Sequence, residues 1–376
     1  MKKMLSLAAM LAVLSYASPA SAELKFGGDA SVRVRSEFND SDTGTTADDV
    51  KWQYRIRLKG AADLGSGYFF KTMLMNEEGN IAGGWQTVGY GNHEAITVDI
   101  SNFYFGRMMQ DSHYMMGRMP LNSFNNPILD LSLYPMQALD SPVFNINFDR
   151  GYGVNYGTKL GDGDLNATVL VLDNEAPITL INNSVNSDGL FNDGYGVHLS
   201  YKMNIGDVTI EPQMVTVIGN TDIWNQTLVG AAFVTAAVTG HADPTTDVTF
   251  AKDVTPWTFG ANASMPVGDA KLSCSAFYTF CEDNGADYHA AVYRLKGEVG
   301  PFMAWVDYNP AADNKTNTDY SNTFVWAQYK YSVYESAAGT FSLQPTLRWL
   351  TKSTETATTD SDTSTLRAEL WATVTF

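Results

Sequence analysis

The stretch from Leu24 to Leu64 limits the possible folds more than any other part of this 376-residue chain. Its first half places Leu24, Phe26, Ala30, Val32, Val34 and Phe38 on one face and Lys25, Asp29, Ser31, Arg33, Arg35 and Glu37 on the other. After a loop from Asn39 to Asp49 the alternation resumes, with Trp52, Tyr54, Ile56 and Leu58 against Lys51, Gln53, Arg55, Arg57 and Lys59. A period of two over such lengths belongs to a pair of β-strands and not to a helix. Each run exceeds the roughly 5–6 residues typical of a globular strand.

The charges decide which face of this hairpin is wet. An arginine or lysine on the lipid face of a barrel costs about 2–4 kcal/mol at mid-membrane. Two like charges about 7 Å apart in water repel by only about 0.6 kcal/mol. Arg33, Arg35, Arg55, Arg57 and Lys59 therefore face water, and the Trp/Tyr/Ile/Leu face meets something apolar. A soluble β-sandwich with a solvated cationic face satisfies the hairpin equally well, so the rest of the chain must choose.

The amino terminus is expected to be a signal peptide over residues 1–22. Lys2 and Lys3 precede an apolar core from Met4 to Tyr16 and a small-x-small site at Ala20-Ser21-Ala22. Cleavage there would leave 376 − 22 = 354 residues, read as one domain over 23–376, and would take the formal charge from −17 to −19 by removing two lysines. The acidic balance argues against nucleic acid, whose binders carry a basic surface. Cys274 and Cys281, seven apart on one extended run, point to opposite faces and read as free thiols.

Beyond the first hairpin, short and long connections alternate. Short ones fall at Gly60–Gly67, Met108–Ser112, Gly161–Asp164, Asn204–Asp207, Pro266–Asp269, Gly297–Gly300 and Glu335–Gly339, rich in turn-forming residues. Long ones fall at Asn39–Asp49, Asn76–Ala95, Leu121–Asp149, Asn174–Asn192, Asn220–Val254, Glu282–Asp287, Ala311–Ser321 and Ser353–Asp362. Fifteen connections imply sixteen strands, and sorting them by length onto two sides is the asymmetry of a transmembrane barrel. Two regions resist. After Ile96, Val98 and Ile100, Phe103 and Phe105 fall on the polar face, which requires a bulge or lumenal aromatics. The apolar run Leu228 to Val238 is too long for a bare loop, and could be a lid helix or two more strands, giving eighteen.

The last strand alternates Leu366, Ala368, Leu370, Ala372 and Val374 with Thr365, Arg367, Glu369, Trp371 and Thr373, and the chain stops on Phe376. With the leader, the sixteen strands and Gly117-Arg118 after Tyr114-Met-Met, the sequence resembles the general bacterial porins of Gram-negative outer membranes. The resemblance covers the whole mature chain in pattern, but only short motifs in letters.

That resemblance implies an all-β, 16-stranded antiparallel transmembrane β-barrel in the outer membrane, among lipid and lipopolysaccharide. It implies a homotrimer, and a terminal Phe376 read by the barrel-assembly machinery. The third long loop, Leu121 to Asp149, is expected to fold inward, presenting Asp130, Asp140 and Asp149 to a basic ladder of Arg33, Arg35, Arg55, Arg57 and Lys59. Arg118 and Arg150 would flank that loop. The loop lacks the family's Pro-Glu-Phe-Gly-Gly stretch, which leaves the choice of constriction acid open. Seven methionines (Met73, Met75, Met108, Met109, Met115, Met116 and Met119) crowd the early strands, where pliable side chains suit a subunit interface or lipid contact.

The expected function is a water-filled channel for passive diffusion of ions and small hydrophilic solutes. A sugar- or anion-selective channel and a plugged surface barrel or adhesin are the alternatives. No nucleophile elbow or phosphate-cradling loop is present, and the five histidines lack metal-ligand spacing. A barrel hydrolase would need a convergence of Ser, His and acid that spacing does not display. No cofactor is expected, apart from a calcium-like stretch at Asp313-Asn-Lys-Thr-Asn317-Thr-Asp319 that lacks the turn glycine and closing glutamate.

Overall fold

The computed structural model describes residues 23–41, 44, 46–76, 85–89, 96–120, 150–173, 178–180, 184–186, 194–219, 257–283, 286–314 and 317–376. Twenty strands and no helix occur among the described residues. In chain order they are β1 (Glu23–Ser41), β2 (Thr46–Gly65), β3 (Tyr68–Met75), β4 (Gln86–Thr87), β5 (Asp99–Met108), β6 (Ser112–Pro120), β7 (Arg150–Leu160), β8 (Gly163–Asp173), β9 (Ile178–Leu180) and β10 (Ser184–Asn186). They continue with β11 (Gly194–Ile205), β12 (Val208–Gly219), β13 (Trp257–Val267), β14 (Ala270–Asp283), β15 (Ala286–Val299), β16 (Phe302–Asp313), β17 (Thr318–Tyr329), β18 (Tyr331–Ser336), β19 (Gly339–Thr356) and β20 (Asp360–Thr375).

Sixteen of these form a closed antiparallel ring, each paired with its neighbour in sequence and β20 paired back onto β1. Closure leaves no unpaired edge, which a strand crossing lipid requires. The short strands β4 and β18 lie outside the count, because β4 resumes the β3 ladder on β2 and β18 extends β17 along β19. The pair β9–β10 is a separate small hairpin. Strands β12 and β13 pair directly, Thr216 opposite Trp257, so the ring closes with sixteen strands and the eighteen-strand alternative falls. The Leu228–Val238 run itself lies outside the described residues.

The alternation sets the two faces. Val32, Trp52, Leu58, Tyr152, Leu295, Trp349 and Leu370 are exposed on the outside, while Ser31, Asn155, Ser200, Thr279, Asn309 and Thr346 are buried on the inside. Four expected long loops are largely ladder: β1–β2 pair to Asn39/Thr46, β14–β15 to Asp283/Ala286, β16–β17 to Asp313/Thr318 and β19–β20 to Glu355/Asp360. A membrane strand needs about 9–11 residues, and β1, β2, β19 and β20 have 19, 20, 18 and 16. Their polar ends therefore extend beyond an apolar band as paired strand.

The Phe103/Phe105 conflict resolves as a bulge. Met73 pairs with Asn102 and Leu74 with Ile100, so Ser101 is the extra residue and the phase flips there. Ile100, Phe103 and Phe105 are all exposed outside, and Ser101 is fully buried. The methionines divide between the two faces, with Met116 opposite the outward Phe105 and Val154. Met75 and Met119 are buried, and Met119, Met115 and Met108 line an inner cavity. Cys274 is exposed, Cys281 is buried, and neither forms a disulfide.

Phe376 completes the ring. Its N–H and C=O exchange bonds of 3.1 and 2.8 Å with Gly28. The Phe376 ring lies over that residue, where an added Cβ would come within 3.0 Å of the ring and 2.3 Å of Arg57 O. Only glycine admits so close an approach.

Candidate functional site

Among the described residues, the inner wall around the β1–β20 closure gathers a cluster of linked ion pairs. Asp29 on β1 receives Arg57 from β2, with Nε at 2.9 Å from both carboxylate oxygens, while Arg55 and Lys59 approach to 3.9 and 4.0 Å. Higher on β1, Arg33 donates through Nε to Gln53 at 2.7 Å and lies 3.6 Å from Glu369 of β20. Glu369 also receives Arg348 of β19 at 2.8 Å. One register step on, Glu37 accepts from Arg35 at 2.9 Å and from Arg367 at 2.7 Å. The same-face alternation of four adjacent strands makes this possible: Arg35, Glu369 and Thr346 share one row, as do Glu37, Arg367 and Arg348.

Aromatic rings cover the upper part of the ladder. Trp85, just before β4, sits between two guanidinium groups, 4.1 Å from Arg33 and 4.7 Å from Arg55. Its ring meets Trp371 edge-on at 5.0 Å. Arg348 lies 4.0 Å over Trp326, which stacks on Trp305 at 4.7 Å and 12°. Three of these indoles are anchored two residues along their own strand faces: Trp305 donates to Asp307, Trp326 to Gln328 and Trp371 to Glu369. Phe277, Val292, Phe324 and Leu350 extend this into an apolar inner wall from β14 to β19.

The cover grades the ladder by access. Side-chain exposure rises from 1% at Arg33 through 14% at Arg55 and 30% at Arg57 to 56% at Lys59. All five ladder residues stand on the lumenal side, yet only Arg57 and Lys59 present substantial surface to a passing solute. Arg33 and Arg35 are clamped inside the wall.

Two expected flanking residues lie elsewhere. Arg118 is on the outer face, because its register partners Phe103 and Tyr152 point outward there. Its guanidinium lies 5.7 Å from the Tyr152 ring and donates weakly to Ile100 O at 3.5 Å. The alternation that puts Gly117 and Met119 inside forces Arg118 outside, so it does not line the pore. Arg150 is buried at the start of β7 and donates to Ser101 at the bulge, 3.0 Å away, apart from the β1–β2 ladder. Asp130, Asp140 and Asp149 lie outside the described residues.

Sequence reasoning missed Asp29, Glu37, Glu369, Arg348 and Arg367 as ladder partners, and Trp85, Trp305, Trp326 and Trp371 as its cover. The indoles carried a readable signal, since a tryptophan two places from an aspartate, glutamine or glutamate on a strand shares its face. Among the described residues, no group of three or more His, Cys, Asp or Glu could hold a metal. In the calcium-like stretch, Asn314 donates to Asp287 at 2.6 Å, and residues 315–316 lie outside the described set.

The sequence pattern that defines the Gram-negative porins matches residues 6–295, over half of the chain. The chain is a Gram-negative porin. The fold agrees: an anion-selective porin from Comamonas acidovorans superposes with a TM-score of 0.55 at 13% identity, covering 94% of this chain and 100% of that one. OprB of Pseudomonas putida gives 0.54 at 12%, covering 94% of each. The trimer form of OmpT, an outer membrane protein of Vibrio cholerae, gives 0.51 at 10%, covering 93% and 99%. No curated protein matches the sequence. As a porin, the chain forms an outer-membrane channel for small solutes, and its inner wall is the surface those solutes meet.

Proposed function

We propose that this porin is a passive diffusion channel for small hydrophilic solutes that favours anions. The inner wall at the ring closure carries the reading. Seven cations (Arg33, Arg35, Arg55, Arg57, Lys59, Arg348 and Arg367) stand there against three carboxylates (Asp29, Glu37 and Glu369), a surplus of four. A lumen between low-dielectric walls focuses such a field, and it acts on permeating ions more strongly than acids spread over the outer surface. The local surplus therefore outweighs the chain's net charge of −17. The Comamonas relative of the same fold is an anion-selective porin, which agrees with this assignment.

The remaining parts belong to the same proposal. Cleavage after Ala22 releases one barrel domain over 23–376. Phe376 is the signal for assembly. The porin works as a homotrimer, as the trimer form of the Vibrio protein suggests. An outward Arg118 favours burial against a neighbouring subunit, since facing lipid at mid-membrane it would cost about 2–4 kcal/mol.

The experiment is single-channel recording of the refolded protein in a planar bilayer with a potassium chloride gradient. Ohmic steps closing in thirds, with a reversal potential of the anion-selective sign, are the expected result. A cation-selective sign rejects the dominance of the basic wall, and silence from folded protein favours a plugged surface barrel.

A further inference from the structure

A cavity of about 550 Å³ lies against the inner wall beside the short turns β2–β3 and β5–β6, away from the clamped part of the ladder. Its volume falls within the range of small-molecule sites, about 300–1,000 Å³. Phe69, Tyr104, Met108, Met115 and Met119 give it an apolar surface, and Lys71 projects into it. Phe69 and Tyr104 meet edge to face at 6.2 Å and 80°, which fixes both rings. The thioethers adapt to the edge of a flat guest. Bulk water has no need of such a surface on a diffusion channel's wall.

The charges of the cavity are mostly committed. Lys25 pairs with Glu23 at 3.2 Å, Asp63 accepts from the Gly65 N–H in its turn at 2.8 Å, and His113 bonds Asn155 at 3.0 Å. Lys71 is different. Among the described residues its ammonium meets no carboxylate, and its neighbour is the Phe69 ring at 5.4 Å. It stands opposite Ala61, one inward step along β2 from Lys59, at the foot of the basic ladder.

We infer that this cavity is a binding site for small aromatic carboxylates, with the ring against Tyr104 and the methionines and the carboxylate on the Lys71 ammonium. Asp63 is held to its own turn, and Lys71 is the lining cation that meets no carboxylate among the described residues, so it fixes where the guest's carboxylate sits, while the apolar lining requires a ring or short chain beyond it. The site sharpens the proposed channel into one that concentrates such anions at one end of its ladder. It rests on that reading only for its role in permeation.

The test is calorimetric titration of the folded, detergent-purified barrel with benzoate, acetate, benzyl alcohol and benzylammonium. Benzoate should bind at least about tenfold more tightly than the other three, since a charge-assisted contact adds to ring burial. Lys71→Gln should weaken benzoate about tenfold and leave benzyl alcohol unchanged, Lys71→Arg should retain benzoate, and Tyr104→Ala should weaken both benzoate and benzyl alcohol. Equal binding of acetate and benzoate, benzoate binding indifferent to Lys71→Gln, or no benzoate binding would each overturn the site. Bilayer recording of the same preparation separates the two readings. An open channel without benzoate binding removes the cavity alone, while Lys71-dependent binding to a silent barrel removes the channel alone.

Discussion

The inner wall has two halves built on different physics. From β19 through β20 and β1 to β2 it is a lattice of guanidinium and carboxylate groups, whereas from β14 to β17 it is a stack of rings and branched side chains. Both alternate with a period of two, and both turn an apolar row outward. The charged half is buried only because each carboxylate serves two or more cations. The aromatic half is buried by ring contact, with the Arg294–Asp307 pair and the Asn309–Asn322 bond set among the rings beside the indole anchors. Trp326 joins them, stacked on Trp305 on one side and over Arg348 on the other. Charge rows demand a register correct to one residue, and ring rows demand shape, so the two halves should fail differently.

Glu369→Ala should give the largest effect. It strands Arg33 and Arg348 inside the wall, and removing one partner of a buried pair costs about 3–5 kcal/mol. The urea midpoint of the refolded barrel, read by heat-modifiable gel mobility, should fall accordingly. An unchanged midpoint would mean that water already serves these arginines and that the charged half is not a clamp. Replacing all three groups together (Arg33→Met, Arg348→Met, Glu369→Leu) should recover part of the loss, because apolar groups of similar volume leave no charge unpaired, while Gln53 and Trp371 each give up a hydrogen bond.

Trp326→Ala comes next, at about 3 kcal/mol for a large ring lost from packed surroundings. Here the loss should not be recovered by neutralising Arg348. The vacated volume should also raise single-channel conductance. A stability loss equal to that of Glu369→Ala and reversed by Arg348→Met would erase the distinction, making the aromatic half an extension of the charge lattice.

The strand count and the inward direction of Arg33, Arg35, Arg55, Arg57 and Lys59 were legible because alternation is a local signal. Register between strands far apart in sequence was not. Arg33 meets Glu369 only once the ring closes, and nothing near either residue encodes that match. Arg118 shows the same limit at short range. Its neighbours Gly117 and Met119 carry too little contrast to fix the face, and the phase of the adjoining strand depends on the extra residue Ser101. The aromatic half was hidden because a large apolar side chain on a membrane strand reads as lipid-facing by default. The polar anchors beside Trp305, Trp326 and Trp371 were the correction available in the sequence.

The smallest effect on stability belongs to the pair that solutes meet. Arg57→Ala with Lys59→Ala removes the two most exposed cations of the ladder, with 30% and 56% of their side chains exposed. Asp29 keeps Arg55 within reach at 3.9 Å, so the wall should lose less than it does in Glu369→Ala or Trp326→Ala. The charge surplus falls from four to two, and the reversal potential in a salt gradient should move toward cations while the urea midpoint falls by less than in either other variant. Selectivity that holds through this change would assign the field to the buried arginines, acting through the wall at a distance. A large loss of stability would instead make Arg57 part of the clamp and move the boundary between its structural and solute-facing members to Lys59.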